Sequence, residues 1–247
     1  MRYFIELSYN GKAYHGWQNQ PNAISVQEVV EDALSKLLKT KIAIVGAGRT
    51  DAGVHAEQLF AHFDCEPSFN VEMLIFKLNS FLPVDISIQN IFEVKAESHA
   101  RFHALSRTYN YIITQKKDVF KSEGSCYIKH DLDIDKMNEA AKILFDYRNF
   151  KCFSRSNTDV NTYNCTIMLA QWKEHNNQLI FTIKADRFLR NMVRAIVGTM
   201  LNIGLGKTSI EELHKIINSE DRTKAGASVP AHGLYLSRIE YKKSIFI

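Results

Sequence analysis

The sequence predicts an α+β protein built from two halves with antiparallel sheets flanked by helices. Each half has roughly two helices and about four strands, the split βαβ or ferredoxin-like outline. Three observations carry this. Strand-like stretches recur at Arg2 to Tyr9, Asp85 to Val94, Arg107 to Thr114 and Leu234 to Lys242. Between them lie stretches whose apolar residues repeat at helical spacing. The succession of elements in the first half returns in outline in the second, although no sequence repeat is visible. The natural boundary falls near Ser98 to Ser106, which gives domains over 1–105 and 106–247.

The elements follow in order. Arg2 to Tyr9 is rich in aromatic and β-favouring residues. Asn10-Gly11-Lys12 reads as a turn, and Tyr14 to Asn22 as a polar, aromatic loop. A helix is expected from Ser25 to Lys39, with Val26, Val29, Val30, Ala33, Leu34, Leu37 and Leu38 on one side. Ser25 and Glu28 form a capping-box pattern at its start. Strands are expected at 41–47 and 58–65, a helix at 71–80 and a closing strand at 85–94. In the second half a strand at 107–114 precedes a helix at 134–145, with Asp133 or Asp135 near its start. Strands at 163–174 and 178–185 follow, then helices at 188–204 and 209–219, and a last strand at 234–242.

Composition bounds the function. The 247 residues are 45% hydrophobic, enough for a real core. The net charge of +4 permits a nucleic-acid partner without demanding one. Cys65, Cys126, Cys152 and Cys165 include no Cys-x-x-Cys pair, which suits reduced thiols in a cytoplasmic setting. Met1 to Glu6 runs straight into strand-like residues, so no export signal is expected. The longest apolar candidate for a membrane span, Phe188 to Leu205, is interrupted by Arg190, Asn191, Arg194 and Asn202.

The densest signal is Gly46-Ala47-Gly48-Arg49-Thr50-Asp51-Ala52-Gly53-Val54-His55. Three glycines and two alanines surround an arginine, a hydroxyl and a carboxylate. Taken alone, the run also fits a glycine-rich turn capped by Asp51. Loops held by a rigid scaffold are nevertheless where catalytic groups concentrate. Arg49 stands two residues from Asp51, so on extended backbone the two side chains point the same way.

Two further segments carry chemistry. In Ser106-Arg107-Thr108-Tyr109-Asn110-Tyr111, alternation places Arg107, Tyr109 and Tyr111 on one face of a strand. The tyrosines fit core packing or a ring that stacks on a base. In the helix expected at 188–204, Phe188, Leu189, Met192, Val193, Ile196, Val197, Met200 and Leu201 make a broad apolar stripe. Arg187, Arg190 and Arg194 fall on the other face. Arginine suits bidentate contact with phosphate or carboxylate. No metal is expected, because His99-Ala100-Arg101-Phe102-His103 lacks the acid of a zincin helix and no third ligand stands out. No nucleotide cofactor is expected either, since the glycine spacing matches neither a dinucleotide fold nor a P-loop.

These segments together resemble the tRNA pseudouridine synthase A family. The Asp51 run is similar to its Arg-Thr-Asp-Ala-Gly-Val-His loop. The strand around Tyr109 is similar to its basic-x-Tyr-x-Tyr strand. Phe188-Leu189-Arg190-Asn191-Met192-Val193-Arg194 is similar to its Met-Val-Arg helix. The stretch Tyr14 to Gln20 and the stretch Ala225 to Leu236 also resemble the family pattern; the first reads as a candidate RNA contact and the second as architecture. Residues 154–164 depart most from the pattern, being rich in Asn and Thr.

The resemblance implies an isomerase that converts uridines at positions 38, 39 and 40 of the tRNA anticodon stem-loop to pseudouridine. It implies Asp51 as the catalytic nucleophile and Tyr109 against the target uridine. It further implies Arg194 paired with the aspartate, Arg49 in extrusion of the target base, and Arg190 as an RNA contact. A catalytic cleft between the halves, base flipping, a homodimer and no cofactor follow from the same resemblance. The rival readings are an RNA-binding protein without catalysis and a hydrolase using Asp51 with nearby histidines.

Overall fold

The computed structural model describes residues 1–66, 69–156 and 160–247. The expected 154–164 stretch therefore lies partly outside the described residues. The chain divides into two compact units, Met1–Leu105 with Tyr235–Ile247, and Ser106–Leu234. Both are α+β, and strand pairing is mixed.

In the first unit, β1 (Arg2–Tyr9) lies antiparallel between β3 (His55–Asp64) and β4 (Ile86–Val94). The short β2 (Val45–Gly46) pairs antiparallel with the far end of β3, at His62 and Ala61. The last strand, β9 (Leu234–Tyr241), runs parallel to the start of β3, with His55 opposite Tyr235 and Ala56 opposite Leu236. The end of the chain thus packs with the first unit, because its pairing partner is a strand far away in sequence.

Helix α1 (Val26–Leu38) starts where Ser25 accepts a hydrogen bond from the Glu28 amide. Such a cap stabilises a helix by about 1 kcal/mol. It buries Val26, Val30, Ala33 and Leu34. Helix α2 (Val71–Phe81) is capped by Asn70 and ends before Pro83, a residue that disfavours helical backbone in its predecessor. It packs on α1 and β4.

The strand expected at 41–47 shrinks to β2. Ile42 and Ile44 are buried as alternation requires, yet their amides donate to Ser35 Oγ and Glu31 Oε1 of α1. Backbone donors that helix side chains satisfy cannot serve a sheet ladder.

The second unit is built on β5 (Ala104–Thr114), β8 (Gln178–Ala185) and β7 (Ile167–His175), antiparallel in that order. The two-residue β6 (Cys126–Tyr127) joins β5 in parallel. Helix α3 (Ile134–Ile143) is capped by Asp133 and packs on β7 and on α4 (Met192–Gly204). Helix α5 (Ile210–Asn218) opens with a complete capping box between Ser209 and Glu212.

Helix α4 begins four residues later than expected. Asn191 sits at φ +66, a left-handed conformation that ends any helix approaching it. Phe188, Leu189, Arg187 and Arg190 therefore lie in the turn before the helix, and the three arginines do not share a helical face. The helix is not amphipathic in the expected sense either. All its residues are buried except Arg194 and Asn202, so Arg194 is the one charged group on a core helix. No helix among the described residues is long and apolar enough to cross a membrane.

Candidate active site

The Asp51 loop joins β2 to β3. Burial alternates along it: Arg49 is exposed, Thr50 is buried and Asp51 is half-buried. Val54 closes a turn by donating its amide to the Asp51 carbonyl at 3.1 Å. The carboxylate thus stands on a turn whose preceding residue points into the protein.

The loop is held from behind by residues 9–17. Tyr9 Oη and Thr50 Oγ1 form a buried hydroxyl pair at 2.9 Å. The Trp17 amide donates to the Thr50 carbonyl at 3.4 Å, and the Gly53 amide donates to the Tyr14 carbonyl at 3.3 Å. Gly16 is required for this approach. Its φ is +89, and a Cβ there would lie 2.3 Å from the Thr50 carbonyl oxygen. Tyr14 donates its hydroxyl to Asp85 Oδ1 at 2.6 Å, and burial and that carboxylate push its phenol pKa up.

Tyr14 and Trp17 are therefore struts. Their exposures are 6% and 2%, which removes them as RNA contacts and leaves only His15, Gln18, Asn19 and Gln20 of that stretch open.

His55, at the end of the run, is also structural. Its Nδ1 accepts from the Gly11 amide at 3.1 Å, and its ring stacks on Tyr235 at 4.6 Å. His62, further along β3, accepts at Nδ1 from the Ala100 amide. Burial, then His99 and Arg2, lower its pKa to about 4. His103 Nδ1 accepts from the His99 amide, and His99 Nδ1 from the Arg101 amide. Among the described residues no group of three or more His, Cys, Asp or Glu is placed to hold a metal ion.

The second unit carries the other expected site residues. Tyr109 lies on β5, half-buried, with its ring edge-on to Phe188 at 5.2 Å and 89°. This contact ties β5 to the turn that holds Arg190. Tyr111, two residues on, is fully buried and donates its hydroxyl to the Pro230 carbonyl at 3.0 Å. The two tyrosines share one face of the strand, as alternation requires, and differ in depth: Tyr109 stays half-buried while Tyr111 lies in the core. Arg107 donates to the Asp186 carbonyl at 2.9 Å.

Arg190 is exposed, and its carbonyl accepts from the Arg155 amide. Arg194 is half-buried in the first turn of α4, and its Nε donates to the Val229 carbonyl at 2.7 Å. The Val229 amide returns a bond to the Arg194 carbonyl at 3.2 Å.

The structure groups Arg49 with Asp51 on one loop of the first unit. It groups Tyr109, Arg190 and Arg194 on neighbouring elements of the second. Sequence reasoning missed Tyr9, Phe188, Asn191, Arg222 and Ser228 as supporting residues. For Asn191 the signal was present: Asn between two helix-forming stretches tolerates left-handed backbone.

Known proteins resemble this chain along nearly its whole length. The family described as tRNA pseudouridine synthase matches residues 7–103 and 140–242. A tRNA pseudouridine synthase A of Parabacteroides distasonis is 52% identical over 246 residues, covering 99% of this chain and 98% of the relative. One of Porphyromonas gingivalis is 50% identical across 100% of this chain and 99% of its own length. One of Bacillus pumilus is 38% identical across 98% of this chain and 99% of its own. With matches across nearly the full length and over both the Asp51 loop and the Arg194 helix, the chain belongs to the tRNA pseudouridine synthase family.

Proposed function

We propose that this chain isomerises uridine to pseudouridine at positions 38, 39 and 40 of the tRNA anticodon stem-loop, with Asp51 as nucleophile. The reading rests above all on one observation: Asp51 stays half-open while the residue before it is buried and pinned at both its hydroxyl and its carbonyl. A turn needed only for connection has no use for such support.

The reaction breaks the N1–C1′ bond and forms a C5–C1′ bond. N1 gains a proton and C5 loses one, so the change is redox-neutral. The ionised Asp51 supplies the nucleophile. Arg194 is the opposite charge that this reading pairs with it. Tyr109, backed by Phe188, stacks on the uracil and limits its motion once detached. The target base must leave the stem to be reached, and Arg49, exposed beside Asp51, engages the nucleotide during that flip. Arg190 contacts RNA phosphate, so binding weakens with salt.

In this reading the chain works in the cytoplasm as a homodimer, with domains 1–105 and 106–247 as ferredoxin-like halves. Two things support the halves. In the first unit β1 is central between β3 and β4, with β2 and β9 on the far side of β3, and in the second β8 lies between β5 and β7. In each, helices alternate with these strands along the chain.

The test is tritium release from tRNA carrying 5-³H-uridine, for the wild type and Asp51→Ala together. Release by the wild type with a loss of roughly 10⁴-fold in the folded, tRNA-binding variant is the expected result. Equal release by both removes Asp51 from the chemistry. Tight binding with no release from either leaves an RNA-binding protein.

A further inference from the structure

Three side chains outside the proposed catalytic set converge on the start of α4. Asn191 holds a left-handed conformation at φ +66 and directs Nδ2 to Ser228 Oγ at 2.6 Å. Arg222 directs Nη2 to the same oxygen at 2.8 Å, and its Nη1 donates to the carbonyls of Gly226 at 3.1 Å and Ala225 at 3.4 Å. One hydroxyl thus accepts from two donors, and one guanidinium gathers three acceptors of a single loop.

The loop so gathered lies against α4 with no space between. A Cβ at Gly198 would fall 1.8 Å from the Ala227 carbonyl oxygen. The Gly226 amide donates to Thr199 Oγ1 at 2.8 Å, while that hydroxyl donates to the Ala195 carbonyl. The next residue after Ser228 is Val229, which exchanges two hydrogen bonds with Arg194. Ser228 and Asn191 therefore fix both strands of the clasp that holds Arg194: Asn191 lies three residues before it, and Ser228 one residue before its partner.

The clasp has a chemical consequence. With Nε committed to the Val229 carbonyl, the orientation in which this guanidinium meets a carboxylate or phosphate oxygen is tied to the loop that carries Val229. The direction of approach is set by where the Val229 carbonyl stands, and that is set by Ser228.

We propose that Asn191, Ser228 and Arg222 are positioning residues for pseudouridine formation, acting through Arg194 by fixing the edge it presents. The inference rests on the reading that Arg194 takes part in catalysis. None of the three touches the reacting atoms in this scheme. Asn191 supplies the left-handed turn and one bond, Arg222 folds the loop, and Ser228 joins the two.

The experiment is single-turnover tritium release with tRNA bound at saturation, together with tRNA affinity and thermal melting. The variants are Ser228→Ala, Ser228→Thr, Asn191→Gly, Arg194→Lys, Arg194→Ala, and the doubles of Ser228→Ala and Asn191→Gly with Arg194→Lys. Glycine keeps the left-handed backbone while deleting the amide, so Asn191→Gly remains folded if Ser228→Ala does not. Ser228→Ala and Asn191→Gly should each slow turnover roughly tenfold, the loss of about one oriented hydrogen bond. tRNA affinity should stay within about twofold, since no RNA contact is removed. Ser228→Thr, which keeps the hydroxyl, should restore the rate. In the Arg194→Lys background the same changes should cost less than about twofold, because the group they orient is gone.

Full rates in Ser228→Ala and Asn191→Gly beside a slow Arg194→Lys would overturn the positioning role alone. Losses that multiply in the doubles would do the same and point to general loosening. A full rate in Arg194→Lys and in Arg194→Ala would overturn the catalytic reading of Arg194, and the inference with it.

Discussion

The two units hold their candidate catalytic groups by opposite means. Asp51 stands on an irregular loop that is braced from behind by another segment, residues 9–17. Arg194 stands on a helix whose other residues are buried save one; the buried helix roots its backbone, and the Val229 loop anchors its Nε. The loop is precise because its neighbours point inward. The helix is precise because it is core, with one charge left at its first turn. A loop lets a carboxylate stand clear of helical backbone, whereas a long cation needs a rigid root and a single anchored nitrogen. Even so, both depend on close backbone approach at a glycine, Gly16 in the first unit and Gly198 in the second.

Substitutions can break or sharpen this contrast. The largest effect belongs to the acid. Asp51→Ala should remove roughly 10⁴-fold of turnover and leave the melting curve nearly unchanged, because its side chain is half-open and its neighbours carry the loop. A large loss of stability would mean that the carboxylate itself supports the turn.

Next come the two glycines. Gly16→Ala adds a strained left-handed alanine and a backbone clash with Thr50, and Gly198→Ala a clash with Ala227. Each should destabilise by roughly 2–4 kcal/mol in urea unfolding. The contrast predicts a difference in what fails. Gly16→Ala should lower turnover well before global unfolding, since the strained loop is local, whereas Gly198→Ala strikes a core helix and should lower turnover and stability together. Parallel behaviour of the two would erase the distinction.

Tyr9→Phe is smaller. It deletes one oxygen and leaves the Thr50 hydroxyl buried without that partner, at a cost of about 1–2 kcal/mol. Turnover should fall by roughly tenfold or less, and Thr50→Val in the same background should add little, as both changes remove one bond. Additive losses would show that the two hydroxyls act separately.

The smallest effect is on acid stability. His62 is buried on β3 and titrates near 4 when folded, below the ordinary histidine value of 6.5. Above about 6.5 both folded and unfolded forms are neutral there, so His62 confers no pH dependence. As the pH falls below that value the unfolded chain takes up the proton first, and stability drops until about 4. His62→Asn should flatten that part of the stability profile. An unchanged profile would place the acid sensitivity elsewhere.

Much of this was legible in the residues. Ser25, Asp133 and Ser209 all cap helices where local hydrogen-bonding chemistry puts them. The run around Asp51 marked the loop, because glycine density beside a lone acid is a local signal. Tyr14 and Trp17 were harder. A polar, aromatic loop looks like a surface until the glycine between them is seen to bring the chain against Thr50.

By itself the sequence determined which stretches are helix and strand, where most of them begin, and which acid stands on a special loop. These follow from periodicity, capping and turn chemistry, which act over a few residues. Only the tertiary structure decided that 41–44 leaves the sheet to bond α1, that α4 starts at Met192, that β9 returns to the first unit, and that Ser228 stands behind Arg194. In each case the partner that satisfies a hydrogen-bonding group is chosen by how the folded elements pack rather than by the residues beside it. Asn191 shows the reason most plainly. Its left-handed turn is permitted by its own chemistry, but what holds it there is a serine 37 residues away.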